Sequence, residues 1–278
     1  MSDSNIFPLE LDVFLTELCD CGILENYSIV SEGVNKAYMG IDINSDSFHL
    51  GHLVSMSVLK IINSIYKIEV IIVLGDYTMT VGDNSMREKG RTEKSITYKY
   101  SNMHMMHKRI RDFFGEGVMI VRNSLWLNKL SMKDAISMLH RQSLNRIMKN
   151  KMISRRLKSR DHIPLSELLY SSLQGYDYYY LNKILDCNIQ VGGVDQTINI
   201  MEGVRSIGDK AGYIMTGIFP RERKISKTDC NNIYTLKITR HQPQLFVDKV
   251  DHLLRSSKEL EKLFSLCSNM DGYESIND

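Results

Sequence analysis

Three things are missing from this 278-residue chain, and each narrows what it can do. It has no paired cysteine framework. Its five cysteines, Cys19, Cys21, Cys187, Cys230 and Cys267, are scattered and odd in number, which fits reduced cytoplasmic thiols better than a disulfide scaffold. Cys19-x-Cys21 has the form of half a metal site, but no matching pair occurs elsewhere, so no metal ligands are assigned. Charge of one sign is not in excess: the formal net charge is +2, which excludes a chain-wide affinity for polyanions and makes any basic surface local. Long apolar runs are absent, which argues against a membrane span. Glu10, Asp12 and Glu17 interrupt the apolar residues near the start, against a secretory leader. Neither an internal repeat nor a low-complexity linker is visible. What remains, 43% apolar and 24% charged, is ordinary globular composition, long enough for one large domain or two modest ones.

Strand and helix patterns alternate. Leu11, Phe14, Leu15 and Leu18 predict a helix over 9–21 that stops at Gly22. Ala37 to Asp42 reads as a first strand, and 51–65, with Leu53, Met56, Leu59 and Ile62, as an amphipathic helix. Residues 68–74 are apolar and β-branched, as a buried parallel strand is. Further helix is predicted over 91–114, mostly over 131–159, and over 243–267; further strands at 118–121 and 189–191. The alternation predicts an α/β fold with a doubly wound parallel sheet. Ligands in such sheets lie beyond the carboxyl ends of the strands, where Tyr38–Asp42, 75–83 and 190–196 fall.

Two short motifs carry phosphate chemistry. His49-Leu50-Gly51-His52 lies where a strand and loop turn into a helix. A helix start offers free N–H groups and the positive end of its dipole, Gly51 lets a nucleotide approach, and two imidazoles can donate to phosphoryl oxygens. Lys224-Ile225-Ser226-Lys227-Thr228 supplies two ammonium groups able to neutralise a leaving pyrophosphate. Alone, the first is better read as an incidental histidine pair and the second as a solvated basic loop. Their co-occurrence on an α/β framework argues for an ATP site.

Seven ordered blocks then carry a resemblance. They are 38–42, Ser45 to Leu53, Gly75-Asp76-Tyr77-Thr78, Val81 to Ser85, Leu169 to Asp177, Gln190 to Gln196, and Lys224 to Thr228. Over roughly 10–235 the chain resembles a class I aminoacyl-tRNA synthetase, and within that class a bacterial-type tyrosyl-tRNA synthetase. The resemblance implies a Rossmann-like catalytic domain over 1–235 with a helical insert at about 127–160. A short helical extension over 236–278 follows, without the anticodon-binding domain of full-length relatives. It implies that Tyr38 and Asp177 hold a substrate phenol, that Asp83, Tyr170 and Gln174 accept from the substrate ammonium, and that Thr78 and Gln190 line the pocket. Tyr170, Gln174 and Asp177 share one helix face by their spacing. That stretch also reads as a plain aromatic face, since Tyr176, Tyr178, Tyr179 and Tyr180 adjoin. Gly40, Asp42, Asn44, Gly51, Gly193, Asp195 and Gln196 are implied around ATP, with Ile218 and Phe219 near adenine. His49, His52, Lys224, Lys227 and Thr228 are implied as catalytic.

The implied reaction is attack of the tyrosine carboxylate on the α-phosphorus of ATP, giving tyrosyl-adenylate and pyrophosphate, then transfer of tyrosine to tRNA. The alternative is transfer to another acyl acceptor. ATP is a substrate and Mg²⁺ is expected on the pyrophosphate oxygens. L-tyrosine, the tRNA acceptor end and a second copy of the chain through the insert are the implied partners, in the cytoplasm and away from membranes. Departures from the family pattern are Ile43-Asn44 in place of Pro-Thr, and a lysine loop lacking its Asp-Gly turn. Lys149, Lys151, Arg155, Arg156, Lys158 and Arg160, without an acidic residue among them, read equally as an RNA-binding stripe or a solvated helix face. His104 and His107 are read as surface residues, and Met103, Met105 and Met106 as packing.

Overall fold

The computed structural model describes residues 6–20, 23–30, 33–43, 48–81, 96–141, 143–148, 151–159, 163–217 and 235–236. Their main sheet has six strands: β1 (Leu24–Ser28), β2 (Lys36–Asp42), β4 (Glu69–Gly75), β5 (Met119–Arg122), β6 (Ile189–Gly193) and β7 (Gly212–Thr216). Their order is β1-β7-β6-β2-β4-β5. All neighbours are parallel except β1, which runs antiparallel on β7. The expected doubly wound parallel sheet is present, with one antiparallel strand added at this edge. Leu24-Glu25-Asn26-Tyr27-Ser28 lacks the apolar run of a buried strand because it is hydrogen-bonded on one side and half exposed. A two-residue strand β3 (Phe48–His49) pairs antiparallel with β8 (Thr235–Leu236).

Alternation along the strands divides two cores. Ala37, Met39 and Ile41 of β2, with Val70, Ile72 and Leu74 of β4, face a core shared with helix α1 (Ile6–Asp20), helix α2 (Leu50–Tyr66) and Met106 and Ile110 of α4 (Ile96–Phe114). In α2, Leu53, Val54, Met56, Val58, Leu59, Ile61 and Ile62 are fully buried, a wider apolar face than a surface helix needs. Tyr38, Ile71 and Val73 point the other way. They meet Trp126 and Leu127 of the four-residue helix α5 (Ser124–Leu127), and Leu173, Tyr178 and Leu181 of α9 (Leu165–Leu185). Helix α3 (Thr78–Val81) follows β4, and α10 (Thr197–Ile207) packs on α9.

The segment expected to be mostly helical over 131–159 is three short pieces, α6 (Met132–His140), α7 (Leu144–Ile147) and α8 (Lys151–Lys158). Ser131 starts α6 with a reciprocal cap: its hydroxyl accepts from the Asp134 N–H, and Asp134 accepts from the Ser131 N–H. The helix expected over 243–267 and residues 91–95 lie outside the described residues.

Helices α9 and α10 touch at backbone distance. A Cβ on Gly203 would stand 2.7 Å from Tyr178 Cδ1, and one on Gly175 3.2 Å from the Gly203 nitrogen. Tyr178 cannot retreat, because it is fully buried and its hydroxyl donates to the Gly212 carbonyl at 2.7 Å. Gly203→Ala should therefore lower stability by about 1–3 kcal/mol, read as a fall in Tm with circular dichroism of the remaining folded protein unchanged. An unchanged Tm would contradict the close contact.

Candidate active site

The sheet turns back on itself at β2. The chain proceeds from β2 outward to β4 and β5, then returns to place β6 on the other side of β2. The β2–β6 ladder holds only Ala37–Ile189 and Tyr38–Gln190, whereas β2–β4 continues to Asp42–Gly75 and β6–β7 to Gly193–Thr216. Past Tyr38 and Gln190 the two strands part, and a crevice opens at the carboxyl ends, where α/β sheets bind ligands. Gly40 is exposed there, with nothing within 4 Å of where its Cβ would be.

One wall is a chain of buried polar groups. Asp177 of α9 is 5% exposed. Its Oδ1 accepts from Trp126 Nε1 at 2.7 Å and its Oδ2 from Asn123 Nδ2 at 3.1 Å. Asn123, fully buried at the end of β5, also donates to Thr78 Oγ1 at 3.0 Å and accepts from the Tyr77 N–H at 3.0 Å. Every polar atom of its amide is thus used, and that fixes its orientation. The Thr78 hydroxyl donates to Asp42 Oδ1 at 3.0 Å, and the Tyr170 hydroxyl donates to Asp42 Oδ2 at 3.0 Å. The Asp42–Thr78 bond crosses over Gly75, where a Cβ would lie 2.4 Å from Asp42 Oδ1 and 2.5 Å from Thr78 Oγ1; only glycine fits. Asp76 lies behind this wall, accepting from the Ser124 N–H at 2.9 Å and the Ser124 hydroxyl at 2.6 Å.

Burial pushes the Asp177 carboxyl up from 3.8 to about 7. The Asn123 and Trp126 hydrogen bonds pull it down, and the charges of Asp42 and Asp76 push it up again. Tyr38 stands on the adjacent strand, buried, its ring 5.2 Å from that of Tyr178. Its phenol is raised well above the ordinary range, first by burial and then by the Asp177 charge. The Tyr38 hydroxyl and the Gln190 side-chain oxygen, neighbours across the β2–β6 ladder, are buried without a hydrogen-bond partner among the described residues. Buried polar atoms left so are costly unless a ligand or water completes them. Gln174 lies half-buried on α9, one turn from Asp177 and Tyr170.

The other end of the crevice is built from α2, β6 and α10. Gly51 and His52 occupy the first turn of α2, with the His52 ring 6.1 Å from Phe48. Ser55 shares a 2.7 Å hydrogen bond with Thr216, which donates to the Gly192 carbonyl at 3.3 Å. This pins the start of α2 over the ends of β6 and β7. A Cβ on Gly193 would lie 2.4 Å from Asp195 Oδ1. Gln196 Nε2 donates to Asp195 Oδ2 at 3.0 Å and Asn199 Nδ2 to Gln196 Oε1 at 2.8 Å. His49 pairs by backbone register with Thr235, so the chain shortly after the lysine motif lies against the histidine motif. Lys224, Lys227, Thr228, Asn44, Asp83, Ile218 and Phe219 lie outside the described residues.

The structure thus joins Asp42, Thr78, Tyr170 and Asp177 into one network beside Tyr38 and Gln190. Sequence reading missed Asn123, Trp126 and Asp76. Trp126 is the chain's single tryptophan, and Asn123 ends a strand at the carboxyl edge of the sheet; both were available signals. The basic stripe is not continuous: Arg156 is buried, whereas Arg155 and Lys158 are exposed, and Lys149 and Arg160 lie outside the described residues. His104 and His107 are exposed on α4, while Met106 packs in the core.

Comparison with known proteins places the chain in a family. The sequence profile of the tRNA synthetases class I (W and Y) matches residues 31–274. The tyrosine–tRNA ligase of Wigglesworthia glossinidia brevipalpis is 34% identical over 217 residues, covering 72% of this chain and 50% of that protein. That of Rickettsia bellii is 32% identical over 200 residues, covering 68% and 48%. The chain therefore spans about half the length of the curated relatives it matches. Among solved structures, a C-terminally truncated Aspergillus nidulans mitochondrial tyrosyl-tRNA synthetase superposes with a TM-score of 0.62 at 22% identity, over 73% of this chain and 68% of that one. The Archaeoglobus fulgidus tyrosyl-tRNA synthetase complexed with L-tyrosine gives 0.57 at 17%, over 85% and 74%. These two likenesses show the fold. With the profile covering most of its length and a curated relative above the thirty-per-cent mark, the chain belongs to the class I tRNA synthetases (W and Y).

Proposed function

We propose that this chain activates L-tyrosine with ATP and passes the tyrosyl group to the acceptor end of tRNA. The observation that carries the reading is the buried Asp177 carboxylate, held by two neutral donors beside the Tyr38 hydroxyl, which has no hydrogen-bond partner among the described residues. A substrate phenol completes both: its O–H donates to Asp177 and its oxygen accepts from Tyr38. Phenylalanine would leave the pair unsatisfied. The substrate ammonium goes to Asp83, Tyr170 and Gln174, in a region that Asp42, Asp76 and Asp177 make electronegative. Thr78 and Gln190 line the slot. The tyrosine carboxylate then points along the crevice toward ATP, held by Gly40, Asp42, Asn44, Gly51, Gly193, Asp195 and Gln196.

In the reaction one carboxylate oxygen bonds to the α-phosphorus as the bond to the bridging α–β oxygen breaks. Pyrophosphate leaves with that electron pair. No side chain serves as a nucleophile; placement and charge stabilisation suffice. His49, His52, Lys224, Lys227 and Thr228 donate to the phosphoryl oxygens as negative charge gathers on them. Mg²⁺, carried by the ATP phosphates rather than by protein ligands, would supply further positive charge toward the leaving pyrophosphate. Met132, Ile136 and Leu139 are exposed apolar residues of α6, which supports a second copy of the chain packing on the insert.

Tyrosine-dependent ATP–pyrophosphate exchange is the direct test; exchange driven by another amino acid in preference to tyrosine would refute the reading. Asp177→Asn should lower kcat/KM for tyrosine by about 10–150-fold, the loss of a charge-assisted hydrogen bond. His52→Ala should instead lower kcat by about a hundredfold and leave the KM for tyrosine near its original value.

The pH dependence follows from Asp177, whose folded value of about 7 stands above the unfolded 3.8. The folded protein holds a proton that the unfolded chain has released, so this group's contribution to stability is full below 3.8 and is lost as pH rises through about 7. Tyrosine requires the ionised form. Its affinity should climb by up to about tenfold per pH unit below the midpoint and level off above it. Asn123→Ala removes one donor and should move that midpoint upward. Isothermal titration across pH measures both; a flat profile in the parent protein would exclude Asp177 as the acceptor.

A further inference from the structure

The run Tyr176, Tyr178, Tyr179 and Tyr180 is not absorbed by the chemistry above, and its members do different things. Tyr178 is buried and bonded to Gly212. Tyr176 and Tyr179 lean on each other with ring centres 5.9 Å apart, and the Lys183 ammonium stands 5.8 Å from the Tyr179 ring. Tyr180 turns inward and stacks on Trp126, with centroids 4.8 Å apart and ring planes 16° from parallel.

Tyr180 and Asp177 are three residues apart on α9 and so share a face. Trp126 comes from a separate helix and is held by both: Asp177 takes its N–H edge at 2.7 Å, and Tyr180 covers its face. The backbone of Trp126 is fixed independently, since Asp76 holds the first residue of α5 through the Ser124 N–H and hydroxyl. The orientation of the indole about its own side-chain bonds is left to the side chains packed on it, and Tyr180 covers one of its faces. A modest rotation swings Nε1 away from the carboxylate, because an indole has a single donor. The near-parallel stack opposes that rotation.

We propose that Tyr180 is a positioning residue: its ring, stacked on Trp126, keeps the indole N–H on Asp177 and so keeps that carboxylate in its phenol-accepting form. The proposal rests on the tyrosine-binding reading above and adds to it the residue that tunes the site. The groups that face Asp177 are Tyr38 and Asp42 from β2, Asp76 after β4, and Asn123 and Trp126 from β5 and α5. Both aspartates oppose its ionisation, and the two neutral donors alone among these favour it. Losing alignment of one donor therefore shifts the balance toward the protonated acid.

Trp126 is the single tryptophan of the chain, so its emission reports this contact directly. In the full-length, ligand-free protein, emission followed across pH should show a midpoint that moves upward by about 0.5–1 unit in Tyr180→Leu. Tyrosine binding by the same variant should be about three- to tenfold weaker at pH 6 and near that of the parent at pH 9. Tyr180→Phe, which keeps the ring, should restore both. If the leucine variant folds poorly, Tyr180→Met takes its place. In a Trp126→Phe background, Tyr180→Leu should add nothing further to the tyrosine profile. An unmoved midpoint in Tyr180→Leu, or an affinity loss equal at every pH, overturns the proposal by making Tyr180 ordinary packing. A midpoint that moves as expected in a protein that binds no tyrosine upholds the relay and refutes the substrate assignment instead.

Discussion

A carboxylate with no fixed cation among the described residues is the constraint around which the crevice is arranged. Asp177 is buried, and two further aspartates act on it. In such surroundings a charge survives only if donors are aimed at it. Asn123 and Trp126 are those donors, and each is held by other contacts: the Tyr77 N–H and Thr78 hydroxyl fix Asn123, and Tyr180 covers Trp126. Neutral donors keep the site from closing on itself. A lysine or arginine in their place would satisfy the carboxylate fully and leave a phenol little to add. Two amide-strength bonds hold the charge while leaving lone pairs for a ligand.

The same network ties the two halves of the crevice. Asp42 accepts from Thr78, which accepts from Asn123, which donates to Asp177. Asp42 also accepts from Tyr170 on the opposite helix. A side chain at the end of β2 thus senses α9 and the β4–α3 turn together. At the far end the Ser55–Thr216–Gly192 bonds set the start of α2 against β6. The crevice owes its rigidity to short polar links between element ends, and its opening to the early stop of the β2–β6 ladder.

Much of this was visible in the residues. Strand β4 is apolar and β-branched because it is covered on both faces, and that pattern is local. Strand β1 was not legible, since an edge strand with one solvated side needs no apolar run. The three helices over 131–159 were legible only as a mostly helical stretch, because short interruptions cost no apolar periodicity. At the site, charged and hydroxyl-bearing residues were found through ordered motif blocks. Asn123 and Trp126 fell outside those blocks. Their role is a matter of direction, two N–H groups converging on one carboxylate from another element, and direction is set by tertiary packing.

The glycine-lined seam between α9 and α10 constrains how such a fold can change. Helix α9 bears Asp177, and α10 begins just after Gln196. At Gly203 the two helices meet through a bare backbone pressed on an anchored ring. Neither Gly175 nor Gly203 leaves room there for a Cβ, so the gauge between the two proposed recesses is set like a fixed stop. Side chains in either recess can be exchanged and the recess reshaped. Their separation is inherited unchanged, and a bulkier substrate must find its room sideways, at the strand ends and loops.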